Sequence, residues 1–389
     1  MNVGIVLKSR DPKEGGGYTI TYDILEKLLD NKKLINHNLY FVVINYLNPK
    51  IKSLFKKNKI KYINIYENEI LSKIKNLVFC KINFLLKAYN FLKLNEIDIY
   101  FRKNNVKIIW PISSELRYPF SIPFFFTIWD LQHRSIPQYK EVGSIIKRSY
   151  RELLIKTNLD KAKYTIVGTK VGANEIKKYY NIKKDKIILN SHPTPSWALQ
   201  KKINNKNFIK KISIKNYFLY PANFWSHKNH LNLIKGFELF LKKNKIKYQL
   251  IFVGSTVDEE VYDEIKNYIY KQKLSTNIKI LGYVSRNELL SLYDNCIALT
   301  YLSVSGPENL PPLEAFARGK PVLYSNFDGA KEQLYNYPVY VNPYKPEDIA
   351  KGVSKILKKK NLSKFYKNFS KKKTTEKYIS KINTILKSA

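Results

Sequence analysis

Short apolar runs alternate with amphipathic segments along almost the whole chain. Each run has the length of a buried β-strand, and each amphipathic segment has the apolar spacing of a helix that covers one face of a sheet. This order is typical of parallel sheets whose strands are joined by helical crossovers. We therefore predict an α/β protein with doubly wound sheets.

The predicted strands fall into two series. The first series is Val3–Leu7, Leu39–Tyr46, Tyr62–Ile65, Val106–Trp110, Phe124–Trp129, Tyr164–Val167 and Lys186–Leu189. The second series is Tyr217–Pro221, Tyr248–Val253, Ile278–Leu281, Ile297–Tyr301, Pro321–Ser325 and Val339–Val341. Between them a lysine- and asparagine-rich stretch has little periodicity and resembles a linker. We predict one domain at residues 1–195, a linker at 196–215, a second domain at 216–365, and a C-terminal helix at 366–389 that packs back on the first domain.

Composition excludes several classes of protein. With 389 residues, 44% of them hydrophobic, the chain has ample material for packed cores. Cys80 and Cys296 are too few and too far apart for a disulfide scaffold or a zinc cluster, so we expect buried thiols in a reducing compartment. The start, Met1–Lys8, is typical of a first buried strand and not of a secretory signal. We expect a cytoplasmic chain without a membrane span.

The charge leaves two interpretations open. The chain has 69 Lys and Arg against 31 Asp and Glu, a formal charge of +38. A biased genome would scatter lysines over neutral surface positions. Alternatively, a basic surface would attract polyanions, either nucleic acid or an anionic membrane leaflet. Nucleic acid is not an expected partner, because the lysines are scattered and the sequence contains no recognisable reading module.

A glycine loop follows the first predicted strand. Gly15, Gly16 and Gly17 precede a helix with apolar positions at Ile20 and Ile24. A strand, a glycine loop and a helix start bring backbone N–H groups close to an anion or a sugar oxygen. Gly16 and Gly17 are therefore candidate ligand contacts, although the spacing is not that of a dinucleotide-binding fingerprint. A structural turn is an equally open interpretation.

The second domain repeats this arrangement with a lysine. Strand Tyr217–Pro221 is followed by a loop that contains Asn223 and Lys228, and then by a helix. The N-terminus of that helix favours anions, so Lys228 is placed to neutralise a phosphate. A solvated surface lysine remains the alternative for Lys228 alone.

The most specific pattern follows strand Ile297–Tyr301. The run Gly306–Val322 contains Pro-Pro at the start of a short helix. We expect the free N–H groups of residues 308–310 to point out at the carboxyl end of the strand, where doubly wound sheets bind ligands. Glu314, one turn into the helix, carries an ionised carboxylate suited to a vicinal diol such as a ribose. The alternative is a capping loop with a surface glutamate.

Together these residues resemble a known family. Gly306–Val322, with Gly282–Leu289 and Ser325–Glu332, resembles the donor-binding half of retaining GT-B glycosyltransferases of family 4. The variant is similar to bacterial enzymes of lipopolysaccharide and capsule synthesis, many of them mannosyl- or rhamnosyltransferases. The first domain resembles the family more loosely, through Gly15–Gly17 and Thr127–Arg134. The resemblance implies a GT-B fold, in which two Rossmann-like doubly wound domains face a central cleft.

The resemblance also implies roles for the site residues. Glu314 would bind the nucleotide ribose and Lys228 would contact the diphosphate, while the backbone of Glu308, Asn309 and Leu310 would hold the sugar. The implied reaction moves a hexose from a nucleoside diphosphate sugar, with GDP-mannose as a candidate, to a hydroxyl of a glycan or lipid-linked glycan such as an O-antigen or capsule. The anomeric configuration would be kept. We expect no metal or cofactor, because no Asp-x-Asp motif is present.

Three departures from the family pattern affect this interpretation. Gly306 stands where the family has its first glutamate, so Glu308 becomes the candidate for that contact. Asn223 stands where an arginine usually joins the lysine on the phosphates. Trp129 replaces a common histidine, which leaves His133 as the candidate polar group near the sugar.

The general base stays open. Asp130 is a candidate, with a structural cap as the equal alternative, and the leaving phosphate itself serves as base in the family's reaction. The departures also keep open a catalytically weak scaffold that acts as a partner subunit.

A membrane contact is expected in the first domain. The segment Lys50–Lys59 interleaves basic and apolar residues, and a helix that presents Leu54 and Phe55 among lysines would lie in the headgroup region of an anionic membrane. This predicts a peripheral protein at the inner face of the plasma membrane. Compositional lysine bias remains the alternative.

Overall fold

The computed structural model describes the whole chain except residues 9–10, 32–33, 67, 83, 86, 89–94, 115–116, 118, 202–205, 245–246, 360–361 and 388–389, together with the side chains at 14, 69, 206 and 207. The chain divides into two compact units. Unit 1 comprises residues 1–191 and 375–389, and unit 2 comprises residues 192–374.

Unit 1 contains two parallel sheets. The first has the strand order β3-β2-β1-β4 and the second has the order β5-β6-β7. A parallel bridge between Ile109 and Phe124 lies where the two sheets adjoin. The strands are β1 (Asn2–Lys8), β2 (Asn38–Ile44), β3 (Tyr62–Ile65), β4 (Ile108–Pro111), β5 (Phe125–Ile128), β6 (Tyr164–Val167) and β7 (Ile187–Leu189). The helices are α1 (Gly16–Asp30), α2 (Pro49–Lys57), α3 (Glu69–Lys81), α4 (Glu96–Lys103), α5 (Gln132–Ser135), α6 (Ile145–Lys161) and α7 (Lys170–Tyr179).

Unit 2 contains one parallel sheet of six strands in the order β10-β9-β8-β11-β12-β13. This order starts in the middle, runs outward to one edge and then returns to the other side, which is the doubly wound arrangement. The strands are β8 (Tyr217–Pro221), β9 (Gln249–Val253), β10 (Ile278–Ile280), β11 (Ala298–Tyr301), β12 (Val322–Ser325) and β13 (Val339–Val341). The helices are α8 (Lys206–Lys211), α9 (His230–Lys242), α10 (Glu259–Lys271), α11 (Arg286–Asn295), α12 (Leu310–Ala317), α13 (Asp328–Leu334), α14 (Pro346–Leu357) and α15 (Ser363–Lys371).

All thirteen predicted strands are confirmed within the described residues, with bounds that differ by at most two positions. The central strands are nearly continuous apolar runs, as expected where both faces of a parallel sheet are covered. Phe218, Leu219 and Tyr220 of β8, for example, have no exposed surface. The prediction of an α/β fold with doubly wound parallel sheets is therefore confirmed.

The predicted linker at 196–215 needs correction. This stretch belongs to unit 2, because Trp197 and Ala198 are buried in the core of that unit. The Arg318 guanidinium donates to the carbonyl oxygens of Ala198 at 3.1 Å and Gln200 at 2.6 Å. One tryptophan and one distant arginine thus anchor a segment whose lysine- and asparagine-rich composition resembles a linker.

The predicted C-terminal helix at 366–389 is two helices in different units. α15 packs on α12 in unit 2, and Tyr366 of α15 stacks on Phe316 at 4.4 Å between ring centroids. The last helix, α16 (Thr375–Lys387), returns to unit 1, where it packs on α1 and the Thr375 hydroxyl donates to the buried Asp23 carboxylate. The boundary between the units therefore falls between residues 374 and 375.

Two further expectations change. Cys296 is buried as expected, but Cys80 is only half-buried. Leu54 and Phe55 are 6% and 1% exposed, because the apolar face of α2 packs into unit 1. The prediction that α2 presents these two side chains to a membrane is wrong. Among the helices in the described part of the chain, none is both long and apolar enough to cross a bilayer.

Candidate functional site

The site in unit 2 lies at the carboxyl ends of β8 and β11, which are neighbours in the sheet. From β8 the strand order runs outward through β9 and β10, and from β11 it runs the other way through β12 and β13. Loops that leave such a pair diverge and open a crevice at the switch point, where ligands bind. The loop after β8 contains Lys228, and the loop after β11 leads into α12.

Lys228 ends a short 3-10 turn, Ser226–Lys228, and only Asn229 separates it from α9. Its ammonium donates to the Tyr301 hydroxyl at 3.1 Å and to the Ser303 hydroxyl at 3.3 Å. Burial raises the pKa of Tyr301 well above its usual value, so that hydroxyl stays protonated at neutral pH. Both of these hydroxyl groups are neutral, so neither of them cancels the charge of the ammonium. A cation and a helix N-terminus together attract an anion.

Asn309 is linked to Lys228 through the Tyr301 hydroxyl, which contacts both side chains. Its Oδ1 accepts from the Tyr301 hydroxyl at 3.2 Å, and its Nδ2 donates to Tyr324 at 3.1 Å and to the Gly306 carbonyl at 3.2 Å. Its backbone N–H donates to Gln333 Oε1 at 3.2 Å. The expectation of a free N–H at Asn309 is therefore wrong, because the Gln333 amide occupies it.

Glu314 lies inside α12 and is 5% exposed. Its Oε2 accepts from the Tyr293 hydroxyl at 2.7 Å. Burial raises the pKa of Glu314 to about 7, although the Tyr293 hydrogen bond and the Arg286 charge act to lower it. The sequence pattern predicts an ionised carboxylate, whereas burial favours the protonated form of Glu314 when no ligand is bound. Hydroxyl donors from a ligand would stabilise the ionised form.

Glu308 contacts the backbone near the start of unit 2. Both of its carboxylate oxygens accept from the backbone N–H of His192, at 3.0 and 3.2 Å, and its side chain is 3% exposed. Burial raises its pKa. Gly306, where the family has a glutamate, adopts a φ of 97°, a conformation that favours glycine. A contact between Glu308 and a sugar stays a prediction.

Asn223 fixes the loop after β8 to the loop after β9. Its Oδ1 accepts from the Ser255 backbone N–H at 2.9 Å. The neighbouring Gly254 leaves no room for a side chain, because a Cβ there would overlap the carbonyl oxygen of Ala222. The amide oxygen of Asn223 thus has a structural role, and its contact with an anion stays a prediction.

The glycine candidates of unit 1 lie at the start of α1. Gly15 precedes the helix with a φ of 87°, and Gly16 is its first residue. Gly17 contributes its carbonyl oxygen, which accepts from the Thr21 hydroxyl at 2.9 Å. The contacts of Gly16 and Gly17 with a ligand stay predictions.

Asp130 follows β5 and caps the short helix α5. Its Oδ1 accepts from the Gln132 backbone N–H at 3.0 Å and from Arg151 Nη2 at 2.8 Å. Of the two roles predicted for Asp130, the structural cap is therefore the one seen in the geometry, and the role as base stays a prediction. The ion pair with Arg151 occupies one of the carboxylate oxygens.

His133 lies nearby in α5 and is buried. Its Nε2 is 2.8 Å from Glu152 Oε2, and burial lowers the pKa of the imidazole. Arg134 and Tyr180 also donate to Glu152. Burial raises the pKa of Glu152, but these hydrogen bonds outweigh burial and lower it to about 2. His133 is thus one donor to a carboxylate held by three side chains.

Five polar residues of the site are absent from the sequence-based prediction: Tyr293, Tyr301, Ser303, Tyr324 and Gln333. Tyr301 ends β11 and Ser303 follows it, so the switch-point rule offers a signal for both. Tyr293 and Gln333 lie in α11 and α13 and reach the site only through the fold, and their sequence context gives no signal. Within the described residues, no three His, Cys, Asp or Glu side chains converge as metal ligands.

Most of unit 2 is similar in sequence to a known protein family. Residues 201–375 match the family described as "Glycosyl transferases group 1". The chain is 30% identical over 200 residues to the O-antigen chain mannosyltransferase RfbU of Salmonella typhimurium, which covers 51% of this chain and 52% of that protein. The chain thus spans about half the length of the curated relatives it matches.

Solved structures match nearly the whole chain. A glycosyltransferase from Rickettsia africae has a TM-score of 0.72 and 18% identity, with 99% of this chain and 97% of that chain covered. Anabaena Alr3699/HepE, crystallised with UDP, has a TM-score of 0.70 and 13% identity over both full chains. These likenesses establish the fold, which is GT-B with two Rossmann-like domains.

Proposed function

We propose that the chain is a retaining glycosyltransferase that moves a hexose from a nucleoside diphosphate sugar to a hydroxyl of a surface glycan. One observation carries the proposal: a lysine ammonium and the N-terminus of α9 lie together at the switch point of a doubly wound sheet. That is where such sheets bind phosphates. Residues 201–375 match a glycosyltransferase family, and this range includes Lys228 and Glu314. The match supports the proposed function.

Lys228 would stabilise the leaving group. When the bond between sugar and phosphate breaks, negative charge builds up on the diphosphate. A cation and a helix N-terminus that are already in place stabilise this charge without reorganisation. Tyr301 and Ser303 hold the ammonium in position. The same geometry binds the donor in its ground state, but the interaction strengthens as the charge develops.

Glu314 would bind the ribose. A carboxylate accepts two hydrogen bonds from a vicinal diol, and the Tyr293 hydroxyl occupies only one lone-pair position of Glu314 Oε2. Ribose hydroxyls would add donors and lower the raised pKa of Glu314. Binding of the nucleotide would thus favour the ionised form of the side chain.

The proton of the acceptor hydroxyl needs a base. Asp130 is engaged by Arg151 and by the start of α5. We therefore assign the base to the departing phosphate oxygen, on the same face of the sugar as the incoming hydroxyl. This assignment accounts for retention without a second carboxylate.

The donor is proposed to be GDP-mannose and the acceptor an O-antigen-type or capsule glycan carried on a lipid. The support is that relatives of this chain bear the name O-antigen chain mannosyltransferase. The sugar itself would be held by the loop at residues 306–310, which includes Glu308. These assignments rest on resemblance.

A lipid-linked acceptor gives the basic surface a use, and α3 is the candidate contact. Ile70, Leu71, Ile74 and Leu77 lie at helical spacing and are exposed, with Ile70 70% and Ile74 52% accessible. Exposed Lys73 and Lys75 flank them. An apolar helix face flanked by lysines fits the headgroup region of an anionic membrane. We propose peripheral attachment to such a membrane through α3 in place of α2.

Transfer assays with a panel of donors test this function. GDP-mannose, UDP-glucose and dTDP-rhamnose are incubated with a lipid-linked acceptor, and the anomeric configuration of the product is read by NMR. We expect transfer from one nucleotide class with retention. Binding of a donor without any transfer would favour the alternative that the chain is a catalytically weak scaffold acting as a partner subunit. An inverted product would refute the retaining mechanism.

A further inference from the structure

A cavity of about 610 Å³ lies on the other side of unit 2. Its wall includes Ile297 and Pro321, which directly precede β11 and β12. In a parallel sheet the amino ends of the strands lie at the edge opposite to the carboxyl ends. The cavity is therefore separate from the site of Lys228 and Glu314. Its size falls in the range of small-molecule sites.

The lining is strongly basic. It contains one carboxylate, Asp294, whose two oxygens bind Arg318 at 2.8 and 2.7 Å. This pair is neutral as a whole. Five lysines also line the cavity: Lys201, Lys320, Lys359, Lys367 and Lys371. The chain as a whole has 69 basic against 31 acidic residues, so a wall with six basic groups and one neutralised acid is more basic than average.

Two of these lysines form hydrogen bonds with backbone carbonyl oxygens. Lys320 donates to the Cys296 carbonyl oxygen at 2.8 Å, and Lys359 donates to the Tyr337 carbonyl oxygen. Carbonyl groups bind an ammonium without cancelling its charge. The other three, Lys201, Lys367 and Lys371, have no hydrogen-bond or ion-pair partner among the described residues.

The arrangement on α15 concentrates charge. Ser363, Lys367 and Lys371 follow each other at intervals of four and so share one helix face, and α15 contains no acidic residue. Like charges at this spacing destabilise a helix. The turn at Gly319 packs against this face, since a Cβ there would overlap Ser363 and lie 2.9 Å from Lys367 Cε. The stem of Lys367 is thus held at the cavity wall.

We propose that this cavity binds an anion with two linked phosphate groups, at a site additional to the donor site. Lys367 and Lys371 would each contact one phosphate, and Lys201 adds a third positive charge to the lining. Apolar side chains of Leu199, Ile356 and Leu362 line the same cavity, so the rest of the ligand has an apolar surface to contact. A soluble diphosphate ester and the headgroup of a phosphorylated lipid share this chemistry.

Inorganic pyrophosphate is the probe, and calorimetry is done in a Lys228→Ala background so that the donor site does not contribute. We expect one saturable site. Adding Lys367→Ala and Lys371→Ala weakens binding by about tenfold or more, because charge-assisted contacts are lost. The matched control is Lys364→Ala with Lys372→Ala, which removes the same charge in and beside α15 outside the cavity and changes the affinity by less than about twofold.

Equal weakening by both pairs of substitutions would show diffuse attraction by lysines and overturn the proposal, as would the lack of a saturable site. Thermal unfolding without ligand checks that both double variants are folded. Vesicles that carry a polyprenyl diphosphate, and vesicles that carry phosphatidylglycerol at the same surface charge, are added as competitors to identify the source of the phosphates. Competition by the diphosphate lipid alone supports a lipid headgroup in the cavity, and no competition by either kind of vesicle supports a free metabolite. Equal competition by both kinds would show diffuse attraction and overturn the proposal.

Discussion

Glu314 makes nucleotide binding dependent on pH. Burial raises its pKa to about 7, and a ribose diol binds the ionised carboxylate. As pH rises from 6 to 8, the ionised fraction of the free protein increases about tenfold, so the affinity for the nucleotide rises by about the same factor. Calorimetric titration with nucleoside diphosphates at both pH values measures this.

Glu314→Gln is the control for that measurement, because it keeps an acceptor for Tyr293 and removes the titrating group. The phosphates of the ligand titrate equally in both proteins. If the variant showed the same rise in affinity between pH 6 and pH 8, the carboxyl of Glu314 would not be its source.

Lys228 acts mainly on the rate. Because charge develops on the diphosphate as the bond breaks, Lys228→Ala is expected to lower kcat by about 10²- to 10³-fold, with a smaller change in KM. Steady-state kinetics measure both constants. Lys243→Ala, at the far end of α9, removes the same charge away from the site and serves as the control. An unchanged kcat with a raised KM would show that Lys228 binds ground and transition states equally.

At the scale of elements, the loops after β8 and β9 hold each other in place. Gly254 lies against Ala222, and a Cβ there would overlap the backbone of Ala222 and Asn223. Gly254→Ala is expected to lower the free energy of unfolding by about 1 to 3 kcal/mol and to weaken nucleotide binding, since the displaced loop contains Lys228. Chemical denaturation measures the first effect and calorimetry the second.

Gly143→Ala is the control. Gly143 lies in unit 1 and has a φ of +92°, and a Cβ there would meet only the side chain of Lys147, so the substitution brings backbone strain outside unit 2. We expect it to cost about 1 kcal/mol and to leave nucleotide affinity unchanged. Equal loss of affinity in the two variants would mean that the contact with Ala222 does not position the loop.

The sequence predicts the position of an element well where a run of buried residues forms it. It predicts poorly where a single buried residue determines how a segment packs. The thirteen strands are mostly apolar runs that recur between amphipathic segments, so their positions follow from the pattern. Trp197 anchors a segment that otherwise looks like a linker, and its partner surface exists only in the fold. Leu54 and Phe55 lie among lysines, a pattern that fits either a buried helix face or a membrane contact.

Some features of the candidate site are likewise predictable from the sequence, and others are not. Lys228 and Glu314 are predictable from their positions after strands and from family resemblance. The engagement of the Asn309 N–H is not, because its partner, Gln333, lies 24 residues further along the chain. Glu308 likewise binds a backbone group 116 residues away. Contacts across such separations depend on packing, which local patterns do not encode.

At the scale of the whole molecule, the charge of +38 leads to a testable prediction about binding to anionic membranes. Co-sedimentation with vesicles of graded anionic content is expected to show binding that rises with anionic lipid. Ile70→Asp with Ile74→Asp should weaken it strongly, because both side chains lie on the exposed face of α3. The control is Tyr270→Asp with Tyr344→Asp, two side chains of unit 2 that are 79% and 58% exposed.

Binding that ignores anionic lipid would leave the charge unexplained by membranes and favour compositional lysine bias. Equal weakening by the two pairs of substitutions would place the contact elsewhere on the surface. Salt-sensitive binding to RNA or DNA would instead support the second use of a basic surface.

The donor site itself is tested most directly by titrating the protein and a folded Glu314→Ala variant with nucleoside diphosphates. We expect one nucleotide class to bind the unmodified chain. We also expect Glu314→Ala to weaken this binding by about ten- to a hundredfold, since the hydrogen bonds of one carboxylate to the ribose are lost. Equal affinity in the folded variant, or no binding of any nucleoside diphosphate to the unmodified chain, would contradict the assignment of the site.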